Sequence, residues 1–233
     1  MTLPSSHTLR HHRLRLALHR LAERQGPPLL LLHGLGERSP SSLPRHYADW
    51  PGSVFALDFC GHGQSDAPRG GGYSCETLLA DADAALAHLG PCTVAGRGIG
   101  GYVALLLAGA RPEAIRGALI LDGPGLTGGG TTSNPTIPVP DLRQWAPPDP
   151  YAMAELSNDV RPPGYAASFA MLAAQQSPLD TPVTVCARER PAWLVAVTEM
   201  LSLETVPLEI GLRRYAQVWR AGTDKPGPGD AGR

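Results

Sequence analysis

Apolar and polar positions alternate over Leu14, Leu16 and Leu18, within an otherwise polar and basic stretch of residues 1–28. This period of two predicts an antiparallel edge strand. The next apolar run, Leu29–Leu32, shows no alternation: four leucines ahead of His33-Gly34 predict a short strand buried on both faces. Val54–Asp58 is a second such run, and Ser42–Trp50 between the two predicts a helix. From Thr77 to Leu89 apolar residues recur at helical spacing. Thr93–Ala95 reads as a strand that breaks at Gly96, Ile99–Ala110 as a buried helix, and Ala118–Asp122 as the next strand. Strands alternating with helices in this order predict an α/β fold, a parallel sheet covered on both faces.

Beyond Asp122 the pattern collapses. Residues 123–150 hold Gly128-Gly129-Gly130 and a run of prolines with little periodicity, as an excursion over the sheet would. The three glycines lack a following lysine and read as a hinge, not a phosphate loop. Two short helices are predicted around Tyr151–Leu156 and Gly164–Gln176. Val183–Ala187 then resumes the sheet, followed by a helix over Ala192–Met200, a last strand over Leu201–Thr205 and a closing helix over Glu209–Arg220. The Gly-, Pro- and Asp-rich stretch Thr223–Arg233 predicts a disordered tail.

Composition narrows the partners. The chain has 233 residues, enough for one α/β domain whose core needs no disulfide or metal. Its 20 basic and 21 acidic residues leave a net charge of −1, which gives no basis for capturing nucleic acid or an anionic membrane. The Arg/His-rich opening from Arg10 to Arg24 lacks the apolar stretch and cleavage site of an export signal. The longest aliphatic runs, Leu29–Leu32 and Val103–Ala108, are too short to span a bilayer. Cys60, Cys75, Cys92 and Cys186 show no CxxC or zinc spacing, so reduced thiols, a cytoplasmic location and no metal or cofactor are expected.

Three landmarks in fixed order carry chemistry. They are Leu31-Leu32-His33-Gly34-Leu35-Gly36, then Asp58-Phe59-Cys60-Gly61-His62-Gly63-Gln64-Ser65-Asp66, then Gly96-Arg97-Gly98-Ile99-Gly100-Gly101 between a strand and a helix. With the later strand Ala118–Asp122, they resemble the α/β-hydrolase superfamily over roughly residues 10–125. The resemblance implies a mostly parallel sheet with helices on both faces and a short lid. It also implies an organisation in which 1–122 and 181–222 form the core, 123–180 a lid or cap, and 223–233 the tail.

That family's nucleophile elbow reads G-x-S-x-G. Laid on this sequence, Gly96 and Gly100 are the flanking glycines and Gly98 holds the nucleophile position, with no side chain to attack a carbonyl. The chain order in the family is nucleophile, acid, histidine. All eight histidines (positions 7, 11, 12, 19, 33, 46, 62 and 88) precede the elbow, and the loop that carries the family's base reads Glu204-Thr205-Val206-Pro207. The acid position falls on Glu189, between two arginines, or on Asp122; the residues leave the choice open. Losing one triad member costs orders of magnitude in rate, so a conventional serine-hydrolase mechanism is not expected.

A site is still implied. The backbone N–H groups of Leu35 (or Gly36) and Ile99 fall where the family builds its oxyanion hole. The helix opening at Ile99 offers free donors to a carboxylate or enolate, with Arg97 beside it. Each residue also has an ordinary role: His33 shaping its turn, His62 and Asp58 holding theirs, Cys60 and Cys186 packing inertly, and Asp122 ending a strand. The candidate residues are therefore His33 and Asp122 for catalysis, and Leu35, Gly36, Arg97, Gly98 and Ile99 for ligand or oxyanion binding. The leading expectation is a triad-less protein, a pseudoenzyme or carrier, binding a small carbonyl- or carboxylate-bearing molecule. A lyase, isomerase or cyclase using His33, Asp122 or Arg97 is the second, and a weak hydrolase with a displaced nucleophile the third.

Overall fold

A two-residue turn at His12-Arg13, with His12 at φ 52°, folds the basic N-terminal stretch into a hairpin. Its strands are β1 (Ser5–His11) and β2 (Leu14–Ala22) in the computed structural model, which describes residues 5–126, 147–157 and 161–223. The strand expected from the leucine alternation is β2, and it is antiparallel to both neighbours, but β1 covers its outer side. It is therefore not the edge. Among β1 residues only Leu9 enters the core, too little to signal a strand beforehand.

The four leucines form β3 (Leu29–Leu32), each of them buried. β3 pairs in parallel with β4 (Val54–Leu57) on one side. On the other it pairs with β5 (Cys92–Arg97), and β6 (Ile115–Leu121) and β7 (Val183–Val185) continue the parallel array. The sheet order is β1-β2-β4-β3-β5-β6-β7. Continuous apolar strands are what a sheet covered on both faces requires.

One face carries the larger core. Helix α1 (Cys75–Leu89) starts at Ser74, whose hydroxyl accepts the Thr77 N–H, and places Leu78, Ala82, Ala85 and Leu86 on the sheet. Helix α2 (Ile99–Ala110) is buried at every residue but the last. It approaches β3 so closely that a Cβ on Gly100 would lie 2.6 Å from the carbonyl oxygens of Leu32 and His33. After α3 (Pro150–Ser157), helix α4 (Pro163–Gln176) buries only alanines, Ala166, Ala170 and Ala173. Such a stripe of small residues allows close packing against α2 and α5 (Ala192–Leu201). Trp193 fills the junction, edge-on to Tyr102 at 4.9 Å between ring centres, and donates its indole N–H to Leu126 O at 2.6 Å.

The opposite face is thinner. Leu29, Leu31, Val54, Ala56, Ala95 and Leu119 are covered there by Trp50 and by Leu212 and Tyr215 of α6 (Leu208–Thr223). The helix expected over Ser42–Trp50 is reduced to one 3-10 turn, Arg45–Tyr47. Pro44 stands extended at its start and divides the stretch between Pro40 and Pro51, leaving only residues 45–50 for a helical turn. The last strand expected over Leu201–Thr205 shrinks to a single bridge, Thr205 to Val185, because Ser202 turns left-handed (φ 52°, ψ 44°) and ends α5 late. The Gly128–Gly130 hinge, residues 127–146 and 158–160 of the expected lid, and all of the expected tail after Thr223 lie outside the described residues. No described helix is long and apolar enough to cross a membrane.

Replacing Trp193 by alanine removes the junction filler and strands a buried carbonyl. We expect a loss of about 3–5 kcal/mol, measured as a lower urea midpoint with an unchanged denaturant slope.

Candidate functional site

β5 runs straight into α2 through Gly98, which sits at φ 58°, ψ −129°. This is the sharp strand-to-helix turn that the sequence motif requires, in a backbone region L side chains rarely adopt. Gly98 N–H bonds to Leu121 O at 3.0 Å and Gly98 O accepts from Gly101 N–H at 2.9 Å, so the corner is fixed from both sides.

Directly over it lies the segment that follows β6. The carbonyl oxygen of Pro124 accepts from Ile99 N–H and from Leu35 N–H, both at 3.0 Å. Two amides from different loops thus converge on one oxygen, the geometry that stabilises an oxyanion, and the oxygen belongs to the chain itself. A Cβ at Gly98 would lie 1.9 Å from that oxygen. The donors expected to be free for a ligand are occupied. Gly36 N–H, the alternative donor, goes to His62 Nε2 at 3.2 Å.

Both histidines of the landmarks are held by backbone. His33 Nε2 accepts from Phe59 N–H at 3.1 Å, so Nδ1 carries the proton, donated to Gly34 O at 2.8 Å. His62 repeats the arrangement, with Nε2 accepting from Gly36 N–H and Nδ1 donating to Cys60 O at 3.1 Å. The rings lie 5.0 Å apart and lash the loop after β3 to the loop after β4. Burial lowers the pKa of His33 below the ordinary imidazole value, and burial together with the neighbouring His33 ring takes His62 down to about 3. Each is a neutral staple.

Buried carboxylates complete the frame. Burial alone would raise the Asp58 carboxyl, but His19 Nε2 at 2.9 Å, the nearby His33, and the N–H groups of Gln64 (2.8 Å) and Ser39 (2.7 Å) hold it well below the usual range. Asp81 accepts from Cys60 N–H at 2.8 Å and faces His11 Nδ1 at 2.7 Å, and burial pushes its carboxyl up. All four cysteines are free thiols, and burial raises Cys60, Cys92 and Cys186. Raised thiols are poor nucleophiles.

The remaining candidates border a cavity of about 810 Å³ on the thinner face of the sheet. His33, Arg97 and Asp122 all line it, beneath the carboxyl ends of β3, β5 and β6. Leu35, Gly36, Gly98 and Ile99 do not. The expected site is thus divided between a closed cradle and an open cavity. Half-exposed Arg97 pairs through Nε with Glu37 Oε2 at 3.2 Å, and the same oxygen accepts Gly34 N–H at 2.9 Å. Asp122 accepts from Arg188 N–H (2.8 and 3.0 Å) and Glu189 N–H (2.9 Å), capping the loop after β7. Among the described residues no group of three or more His, Cys, Asp and Glu side chains is arranged to hold a metal.

A family model described as "Serine aminopeptidase, S33" matches residues 25–159, more than half of the chain. The chain belongs to the S33 serine aminopeptidase family. It is similar to mouse (Mus musculus) epoxide hydrolase 4, 36% identical over 108 residues, which are 44% of this chain and 30% of that protein. It is also similar to (E)-2-((N-methylformamido)methylene)succinate hydrolase of Acinetobacter baylyi, 30% identical over 112 residues, 45% of this chain and 41% of that one. The matches therefore span less than half the length of either relative. Among solved structures, the thioesterase domain from the curacin biosynthetic pathway superposes with a TM-score of 0.62 at 15% identity, covering 94% of this chain and 99% of that domain. That likeness shows the fold alone, an α/β-hydrolase fold.

In this S33 family member, three features of the site escaped the sequence: Pro124 O on the two amides, the His62 staple on Gly36, and the Ser39 N–H on Asp58. Gly123-Pro124-Gly125 signals a turn after β6 but not the direction in which its carbonyl points.

Both staples require neutral rings, so the native state binds fewer protons than the unfolded chain between the His62 value of about 3 and the ordinary 6.5. Stability from these histidines is full above pH 6.5 and is lost as pH falls through that window. Asp81, with a raised carboxyl, acts in the opposite sense, so the comparison to make is between variants. His62→Gln removes one proton's contribution and should flatten the stability-against-pH slope by about 1.4 kcal/mol per pH unit between pH 4 and 6. Urea titrations at several pH values measure it; an unchanged slope refutes the assignment.

Proposed function

We propose that this S33 family member carries no working Ser-Asp-His triad and binds a small carbonyl- or carboxylate-bearing molecule without serine hydrolysis. The observation that carries the proposal is the Pro124 carbonyl oxygen, seated on the Leu35 and Ile99 amides directly above a glycine. A substrate carbonyl has neither a nucleophile below it nor vacant donors around it.

Supporting it, His33 and His62 have both ring nitrogens engaged with backbone, and Asp122 is taken up by the amides of residues 188 and 189. The segment before α6 reads Glu204-Thr205-Val206-Pro207 and offers no imidazole. Residues 123–126 act as the first part of a cover, and a Cβ on Gly36 would meet the Met153 side chain of α3 at 3.0 Å, which puts the next part of that cover against the same loop. The relatives' names are hydrolase names, and they favour retained turnover as the competing reading. Free thiols and a near-zero net charge fit a reducing, cytoplasmic setting with small-molecule partners.

A fluorophosphonate probe should leave the protein unlabelled, whereas covalent labelling of a serine would overturn the proposal. Gly98→Ser should also remain unlabelled, and should lose about 2–5 kcal/mol because its Cβ meets Pro124 O in a strained backbone region. A serine variant that folds at full stability and hydrolyses p-nitrophenyl esters would contradict the occupied cradle. A thermal-shift panel of small carboxylates and β-keto compounds tests binding, with a raised melting temperature expected for part of the panel and none at all counting against it.

A further inference from the structure

A second cavity, of about 400 Å³, opens at the amino end of β7 and shares no lining residue with the larger one. The volume falls within the range of about 300–1,000 Å³ typical of small-molecule sites. Its walls come from the last turn of α4, the residues leading into β7, the end of α5 with the loop after it, and α6. Ala174, Leu201, Leu203 and Val206 form an apolar side that a ligand can reach, since none of the four is buried.

The polar side is built around Arg214 of α6, which is half-buried and makes no ion pair among the described residues. Its Nη1 donates to Thr184 Oγ1 at 3.0 Å. The Tyr215 phenol has one proton and gives it to Thr181 O at 3.1 Å, so the Thr184 hydroxyl donates to that phenol at 2.8 Å. Burial pushes the Tyr215 phenol up, which keeps its proton in place. Each hydrogen bond in this row therefore has one direction, and the row fixes the guanidinium in advance. Arg214 Nε and Nη2, the edge that matches a carboxylate, have no partner among the described residues. The opposite charge stands at the rim. Asp180 and Glu204 line the same pocket, are exposed, and make neither an ion pair nor a side-chain hydrogen bond among the described residues. α4 and α5 also end beside the pocket, and the C-terminal end of a helix favours a cation. A simple anion meets two carboxylates here, and a simple cation meets Arg214. A molecule with both charges finds a partner for each.

We propose that this pocket binds a free aliphatic α-amino acid. The carboxylate lies on Arg214 Nε and Nη2, the ammonium at Asp180 and Glu204, and the side chain against Leu201, Leu203 and Val206. Two parallel N–H donors on one carboxylate form the bidentate pair that gives both strength and orientation. The site goes beyond the function proposed above and does not rest on it, because the two cavities have no residue in common. No covalent step is involved.

The test is isothermal titration of the full chain with three probes: L-leucine, 4-methylpentanoate, which lacks the amine, and isoamylamine, which lacks the carboxylate. L-leucine should bind at one site, and each truncated probe about tenfold or more weakly. The double variant Asp180→Asn with Glu204→Gln, at two exposed positions, should weaken leucine about tenfold and leave 4-methylpentanoate no weaker. Its melting temperature should match the parent's. Arg214→Gln should weaken leucine about tenfold while isoamylamine binds as well as before. An arginine that only supported Thr184 would change all three probes alike. Should Arg214→Gln lose stability with its Thr184 contact, the rim variant still decides, because it touches no buried group. No leucine binding at millimolar concentration, equal affinity for the three probes, or leucine binding unaltered in both variants overturns the proposal.

Discussion

The arrangement of the whole carboxyl edge of the sheet depends on one carbonyl oxygen and the two amides that hold it. Pro124 O joins the loop after β3, the first residue of α2 and the segment after β6 at a single point. Helix N-termini carry unpaired N–H groups that need an acceptor. In an acyl-transfer site, water and substrate fill that need in turn. Here the chain itself fills it, and the segment that supplies the acceptor also closes the corner from above. The side-chain-free residue at the elbow and the occupied cradle are therefore mutually consistent: each makes the other sterically acceptable.

Around this point the landmark residues hold loops to one another. His33 and His62 keep the positions of the His-Gly turns, yet each ring bonds backbone on both nitrogens and serves to align Leu35 and Gly36. Asp58 gathers His19, Ser39 and Gln64 onto one carboxylate, and Asp81 does the same for His11 and Cys60. Residue types that serve catalysis elsewhere hold loops in this chain. Polar groups buried this deeply are stabilising only when their hydrogen bonds are complete.

The central elements were legible because their signals are local. Leu29–Leu32 lacks any polar face, and Ile99–Ala110 is apolar between a glycine turn and Arg111, so strand and helix followed directly. The 3-10 turn at Arg45–Tyr47 and the shortened strand near Thr205 were misread because prolines and a left-handed Ser202 outweigh apolar spacing over so few residues. Within the site, the absence of a side chain at Gly98 could be read from position alone. The occupant of the cradle could not, since the direction of one carbonyl depends on tertiary packing 26 residues downstream of the elbow. The cavity was equally hidden: it arises from the failure of a helix to form, and apolar periodicity reports only what is present.

The helix missing from the proline-bounded segment has a thermodynamic side. A sheet face normally gains its share of folding energy from the element laid across it, and here Trp50, Leu212 and Tyr215 supply that cover in place of the absent helix. Under the binding function proposed above, any molecule that binds the folded chain and not the unfolded one would make its own concentration a variable of folding stability through mass action.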